Sequence, residues 1–161
     1  MVQRKNINLL VEALRFLPGD YKLLLVGSGD NNYITDIKSK IEEYKLVDRV
    51  VMVGYTPYKQ TAIAFQASDL FVLPSDFEGL PKVVMQSLSC GIPVLASGFR
   101  LSEEIAGLNY LDDLAPEEIA KKIISLMDEN QTVDVSKVVT EYSWHKRARQ
   151  IESIYATLKK D

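Results

Sequence analysis

Four short apolar runs, 22–26 (KLLLV), 50–53 (VVMV), 70–73 (LFVL) and 92–96 (IPVLA), limit most sharply what this chain can become. Gly, Pro or Asp bound them, and none alternates with polar residues. Strands buried on both faces have this character, as in a parallel sheet. Amphipathic stretches fill the gaps. Leu9, Leu10, Ala13, Leu14 and Leu17 make one apolar stripe, ended by Pro18-Gly19, and Ile34, Ile37, Ile41 and Tyr44 make a second. The spacing predicts a third helix over 58–67 with Ile63 and Ala67 inward, and a fourth over 81–90 closed by Gly91. Further helices are expected over 116–128 and about 143–159, the last with Ala148, Ile151, Tyr155 and Leu158 on one side.

Strands that alternate with helices imply right-handed crossovers and a Rossmann-like, doubly wound parallel sheet in one α/β domain spanning 1–161. The length of 161 residues suits a single core of that size. The chain starts almost directly with a helix, so the pattern leads one to expect a first strand, and an upstream part, ahead of it. No apolar run approaches the roughly 18 residues of a spanning helix, and MVQRKNINLL has no signal-peptide stretch. A net charge of −3 argues against general nucleic-acid binding. The single cysteine, Cys90, cannot form an internal disulfide and is expected to be a small buried hydrophobe, with the cytoplasm as the natural compartment.

Sheets of this kind bind ligands at the carboxyl ends of their strands. After the first run comes Gly27-Ser28-Gly29-Asp30, whose glycines permit close backbone approach to a ligand but equally make a plain turn. After the second, Tyr55 either lines a pocket for a flat base or packs at the strand end. The third loop, Pro74 to Pro81, is the most informative. Pro81 suits the first helical position, leaving the amides of Lys82, Val83 and Val84 to favour an anion, with Lys82 adding positive charge. Glu78, just before this helix, either complements the helix dipole or accepts hydrogen bonds from neutral hydroxyls. A nucleotide-sugar carries both a diphosphate and hydroxyls. Lys82, Gln86 and Ser89 lie at i, i+4 and i+7, a polar stripe that fits either a site or an exposed face.

The stretch LFVLPS…EGLPKVVMQSLSCGIPVLAS resembles the signature of group 1 (family 4) retaining glycosyltransferases of the GT-B fold. Lys5 with its helix, the Gly27-Ser28-Gly29 loop, DRVVMVGY and YSWHKRARQIESIY extend the likeness in order along nearly the whole chain. The resemblance implies the C-terminal, donor-binding domain of such an enzyme. It matches Glu78 to the first Glu of the family's E-x7-E motif, which contacts the donor sugar. It brings the backbone from Gly79 and Leu80 onward toward sugar and diphosphate, and matches Lys5 to the lysine that neutralises the phosphates. At two points the chain departs from the pattern. The second Glu, which holds the ribose, is Gln86, an uncharged and weaker acceptor. The phosphate-binding Arg falls before Met1.

The implied reaction moves a hexose-type sugar from its nucleotide, with retention, onto a glycan or lipid-linked acceptor, as in polysaccharide biosynthesis. Charge stabilisation by Lys5, the helix N-terminus and Lys82 would support it with no metal and no cofactor. The partner implied is an N-terminal acceptor-binding domain, without which the chain is expected to bind donor but turn over poorly. Asp112-Asp113 reads as a solvated loop rather than a metal site, and His145 as a helix-surface residue. The basic run His145–Arg149 is either a solvated face or a peripheral contact with anionic lipid at the inner membrane face. Two other classes compete. A receiver module needs an acidic cluster and a phospho-accepting Asp, where this chain offers Gly and Ser. A non-catalytic nucleotide-sugar-binding or partner-binding subunit is the alternative that Gln86 favours.

Overall fold

The structure, a computed structural model, describes residues 1–158. A 3-10 turn at Gln3–Lys5 leads into α1 (Ile7–Ala13), which a second such turn at Leu14–Phe16 extends. There follow β1 (Leu23–Val26), α2 (Asn31–Glu43), β2 (Val50–Gly54), α3 (Thr61–Gln66), β3 (Phe71–Leu73) and α4 (Lys82–Ser89). The chain continues through β4 (Val94–Ala96), β5 (Leu108–Tyr110), α5 (Pro116–Asp128), α6 (Val135–Tyr142) and α7 (Trp144–Leu158).

Every strand pair is parallel, giving a Rossmann-like α/β fold with helices on both faces. The ladder falls into two groups, β1-β2 and β3-β4-β5, and no backbone ladder joins β1 to β3 among the described residues. Strand β4 shows the layering. Its Leu95 packs with Leu10 and Ala13 of α1 and Ile119 and Ile123 of α5. Its Val94 and Ala96 face the other way, among Leu73, Val84, Leu88 and Val138. All three are fully buried, which explains why this run carries no polar alternation.

A third cluster joins Val11 and Leu14 to Leu25, Ile37, Ile41 and Leu46. Helix α1 therefore sends Leu10 and Ala13 toward α5 and Val11 toward α2, and Leu14 of the following turn joins Val11. It ties together two strand groups that no hydrogen bonds join. Each such leucine contributes about 1.5–3 kcal/mol on burial.

Several expectations need correction. Ile63 is 67% exposed and Ala67 is also exposed, so α3 turns Ala64 and Phe65 inward instead. Phe65 meets Phe71 edge-on at 5.4 Å, and that contact sets the face. Helix α4 is one residue shorter at each end than predicted, and Cys90 lies half-buried at its C-cap. The expected final helix is preceded by an unforeseen α6, which breaks from α7 at the extended Ser143. Helix α7 buries none of its described residues, leaving Ile151, Tyr155 and Leu158 exposed. Lys159, the expected end of that helix, lies outside the described residues.

Candidate functional site

The loop between β3 and α4 is stitched down from two sides. From the β4 side, the Ser97 amide donates to the Leu73 carbonyl at 2.9 Å and the Glu78 amide donates to the Gly98 carbonyl at 2.8 Å. The Ser97 hydroxyl donates to the Ser75 carbonyl at 2.8 Å. Gly98 has φ +81°, and a Cβ there would sit 2.7 Å from the Ser75 carbonyl oxygen, so only glycine fits. From the other side, the Asp76 amide donates to the Arg4 carbonyl at 2.9 Å. The Asn6 carboxamide donates to Pro74 O at 3.0 Å and to Asp76 Oδ1 at 2.6 Å.

Glu78 is the focus of this arrangement. Its Oε1 accepts from the Ser75 hydroxyl at 2.9 Å and lies 3.2 Å from Arg4 Nη1 and 4.0 Å from Lys5 Nζ. Only 10% of the side chain is exposed, so both cations offset a charge largely removed from water. Oε2 has no partner among the described residues. One carboxylate oxygen is thus fixed while the other is free to accept from a ligand hydroxyl. Arg4 also donates to Phe77 O at 2.8 Å. Sequence reasoning did not select Arg4; its one signal was the Arg4-Lys5 pair just ahead of the first helix.

Pro81 occupies the N-cap of α4 rather than its first helical position, and it has no side-chain group with which to cap. The Val84 amide donates to Pro81 O at 3.0 Å, so it is not free as expected. The amides of Lys82 and Val83 have no acceptor among the described residues. They point the positive end of the helix dipole outward, next to Glu78. Gly79 has nothing within 4 Å of a would-be Cβ, and Leu80 is exposed, so the approach is open. Gln86 is half-buried and its carboxamide is unpaired among the described residues, whereas Ser89 turns back to donate to Met85 O.

Charge balance singles out Lys82. Arg4 and Lys5 both lie against Glu78, while Lys82 forms no salt bridge among the described residues. Its ammonium lies 5.3 Å from the Trp144 ring centre.

The remaining predicted residues lie elsewhere. Asp30 caps α2, accepting from the amides of Asn32 at 3.0 Å and Tyr33 at 3.1 Å. The Gly27-Ser28-Gly29 turn therefore leads into a helix start already closed by a carboxylate, which fits a plain turn better than an anion site. Tyr55 is 76% exposed, so it does not pack at its strand end. No hydrogen bond or ion pair joins either to Glu78 among the described residues. Asp112 pairs with Arg100, Asp113 accepts from the Ala115 amide at 2.8 Å, and His145 is exposed. In the basic run, Lys146 pairs with Glu141 and Arg147 lies over Tyr142. Two surface cavities, of about 340 and about 730 Å³, are lined by neither Glu78 nor Lys82.

Parallel strands with helices on both faces define a Rossmann-like α/β domain. The chain belongs to the glycosyl transferases group 1 family, whose model matches residues 1–151. It is 28% identical to the amylovoran biosynthesis glycosyltransferase AmsK of Erwinia amylovora, over 98% of this chain and 43% of that protein. In fold it resembles Anabaena Alr3699/HepE, solved in complex with UDP and glucose. The TM-score is 0.85 at 19% identity, over 98% of this chain and 46% of the other. It also resembles the C-terminal domain of a glycosyl transferase group 1 family protein (LpcC) from Francisella tularensis. There the TM-score is 0.75 at 15% identity, over 89% of this chain and 83% of that domain. The chain spans less than half the length of AmsK and HepE. No helix among the described residues is long and apolar enough to cross a membrane.

Proposed function

We propose that this chain is the donor-binding domain of a retaining glycosyltransferase and holds a nucleoside-diphosphate sugar at the Glu78 loop. The observation that carries the reading is the pairing of two unlike features within one turn of chain. A carboxylate with one free oxygen stands beside a helix whose first amides are unpaired. Glu78 Oε2 accepts from sugar hydroxyls, while the Lys82 and Val83 amides, Lys82 and Lys5 face the diphosphate. Gly79 and Leu80 let the ligand approach the backbone. Gln86, half-buried on the same helix, receives the ribose by its carbonyl oxygen, and exposed Tyr55 stacks on the base.

The chemistry needs leaving-group stabilisation and alignment more than proton transfer. Diphosphate departs from the anomeric carbon as an acceptor hydroxyl attacks, and the cations and amides stabilise the charge that develops. No metal or cofactor is invoked. The acceptor, a glycan or a lipid-linked sugar, binds on an N-terminal domain, so this chain alone binds donor with poor turnover. The domain works on the cytoplasmic side, and the basic run on α7 contacts anionic lipid peripherally. Gln86 keeps a second reading in play, a nucleotide-sugar-binding subunit without transfer.

Calorimetric titration with UDP-, GDP- and ADP-sugars tests the proposal. At least one binds weakly, and the affinity drops at least tenfold in Glu78→Ala and in Lys5→Ala, in line with about 1.5–3 kcal/mol for a charge-assisted hydrogen bond. If no nucleotide-sugar binds, or both variants bind as wild type does, the site is wrong. Activity restored by a full-length chain carrying both domains separates the transferase from the non-catalytic reading.

A further inference from the structure

Trp144 is the chain's single tryptophan, and it stands 73% exposed at the first position of a helix that buries none of its described residues. Its own burial does not hold it there. The corner between α6 and α7 places it instead. Val138 of α6 is buried against Val84 and Leu88 of α4, and Tyr142 packs on the same cluster. Across the corner, Arg147 lies over the Tyr142 ring at 5.3 Å, and the Lys146 amide donates to the Ser143 hydroxyl at 3.2 Å. The indole consequently comes to rest with its ring centre 5.3 Å from the Lys82 ammonium.

Lys82 gains from this in a definable way. A cation in the first turn of a helix meets the positive end of the dipole, which is unfavourable when no anion is bound. Left alone, a flexible lysine swings away from that end. An exposed cation–π contact is of similar size and opposite sign, enough to offset the penalty. Lys82 has no carboxylate partner among the described residues, so the contact with Trp144 is what restrains its charge.

Resting on the donor-site reading, we infer that Trp144 is a positioning residue. It holds the Lys82 ammonium at the open N-terminus of α4, ready for the diphosphate of the donor. It also makes the seating of α7 a determinant of donor affinity, because Trp144 is the first residue of that helix. Trp144 acts through Lys82 and does not itself contact the donor.

The lone tryptophan reports on the pair directly. Intrinsic emission is recorded for the ligand-free chain and for Lys82→Met, and the affinities of UDP and of uridine are measured for wild type, Trp144→Ala, Trp144→Phe, Lys82→Met and Trp144→Ala/Lys82→Met. Emission changes in Lys82→Met. UDP affinity falls about two- to fivefold in Trp144→Ala, the amount an exposed cation–π contact supports, and Trp144→Phe recovers most of it. Uridine, which lacks phosphate, binds all variants alike, and Trp144→Ala has no further effect once Lys82 is Met. Circular dichroism checks that each variant is folded. Identical emission in wild type and Lys82→Met removes the pair and overturns the inference while leaving the donor site standing. Equal losses for UDP and uridine, or an undiminished Trp144→Ala effect in the Lys82→Met background, overturn it too. If emission responds but wild type binds no UDP, the donor-site reading fails and the role of Trp144 fails with it.

Discussion

Two strand-to-helix loops of this domain look alike in outline and differ in what they leave open. Gly27–Asp30 leads from β1 into α2, and Asp30 closes that helix by accepting two of its first amides. Pro74–Pro81 leads from β3 into α4, and Pro81 has no side-chain group that could do the same. The first loop caps its own helix, and the second leaves its helix without a side-chain cap. The proposed anion site therefore rests less on glycines near a helix start than on the absence of a side-chain cap, with a cation and a half-satisfied carboxylate alongside.

The largest expected effect tests what holds α4 in place. Leu88 is fully buried beneath the helix, and Leu88→Ala should cost about 2–5 kcal/mol in urea unfolding. Next is Gly98, which the α4 loop needs and the α2 loop does not. Gly98→Ala forces a left-handed residue and a backbone clash, so it should destabilise by about 1–3 kcal/mol and weaken nucleotide-sugar binding. A loss of stability without a loss of binding would detach the loop from the site. Asp30→Ala makes the reverse case. It should cost about 0.5–2 kcal/mol in thermal or urea unfolding and leave donor affinity unchanged. If donor affinity falls as well, the distinction between the loops is wrong.

The smallest effect concerns α6, a second acid-capped helix. The Lys137 amide, then the Ser136 hydroxyl, holds the Asp134 carboxyl below its usual 3.8. A depressed carboxyl contributes stability above its unfolded value and loses it as pH falls through the folded one. Protection of the Val135–Tyr142 amides, measured relative to the intrinsic exchange rate at each pH, should fall below about pH 4 in wild type, and Asp134→Asn should remove most of that step. An unchanged pH profile in the variant would show that the cap is not responsible.

Much of this was legible before the fold was known, for identifiable reasons. Pro116 with Glu117 and Glu118 marks the start of α5, and its 3.6-residue stripe carries the helix to Asp128 as predicted. The four apolar runs correspond to β1–β4, but only β4 is buried throughout: β2 leaves Val51 and Val53 54% and 52% exposed, so the expectation of burial on both faces fails there. Strand β5 escapes notice because it is three residues long, reads Leu-Asn-Tyr and owes its place to pairing with β4. The face of α3 depends on an edge-on contact between Phe65 and Phe71, which no periodicity encodes. Glu78, Lys5 and Lys82 were selected from the sequence, whereas Arg4 reaches Phe77 across 73 positions of chain. Only the fold makes those two neighbours. The same is true of Trp144 and Lys82.

The central claim, that the open start of α4 and not the capped start of α2 receives the donor's diphosphate, is tested most directly by amide chemical-shift mapping. UDP-glucose is titrated into the isotopically labelled chain, and uridine serves as the control that lacks phosphate. The account predicts shifts at Gly79 and at Lys82–Val84, with the Lys82 and Val83 amides moving most, and no phosphate-dependent change at Gly27–Tyr33. Shifts centred on Gly27–Tyr33, or none that distinguish UDP-glucose from uridine, would contradict it.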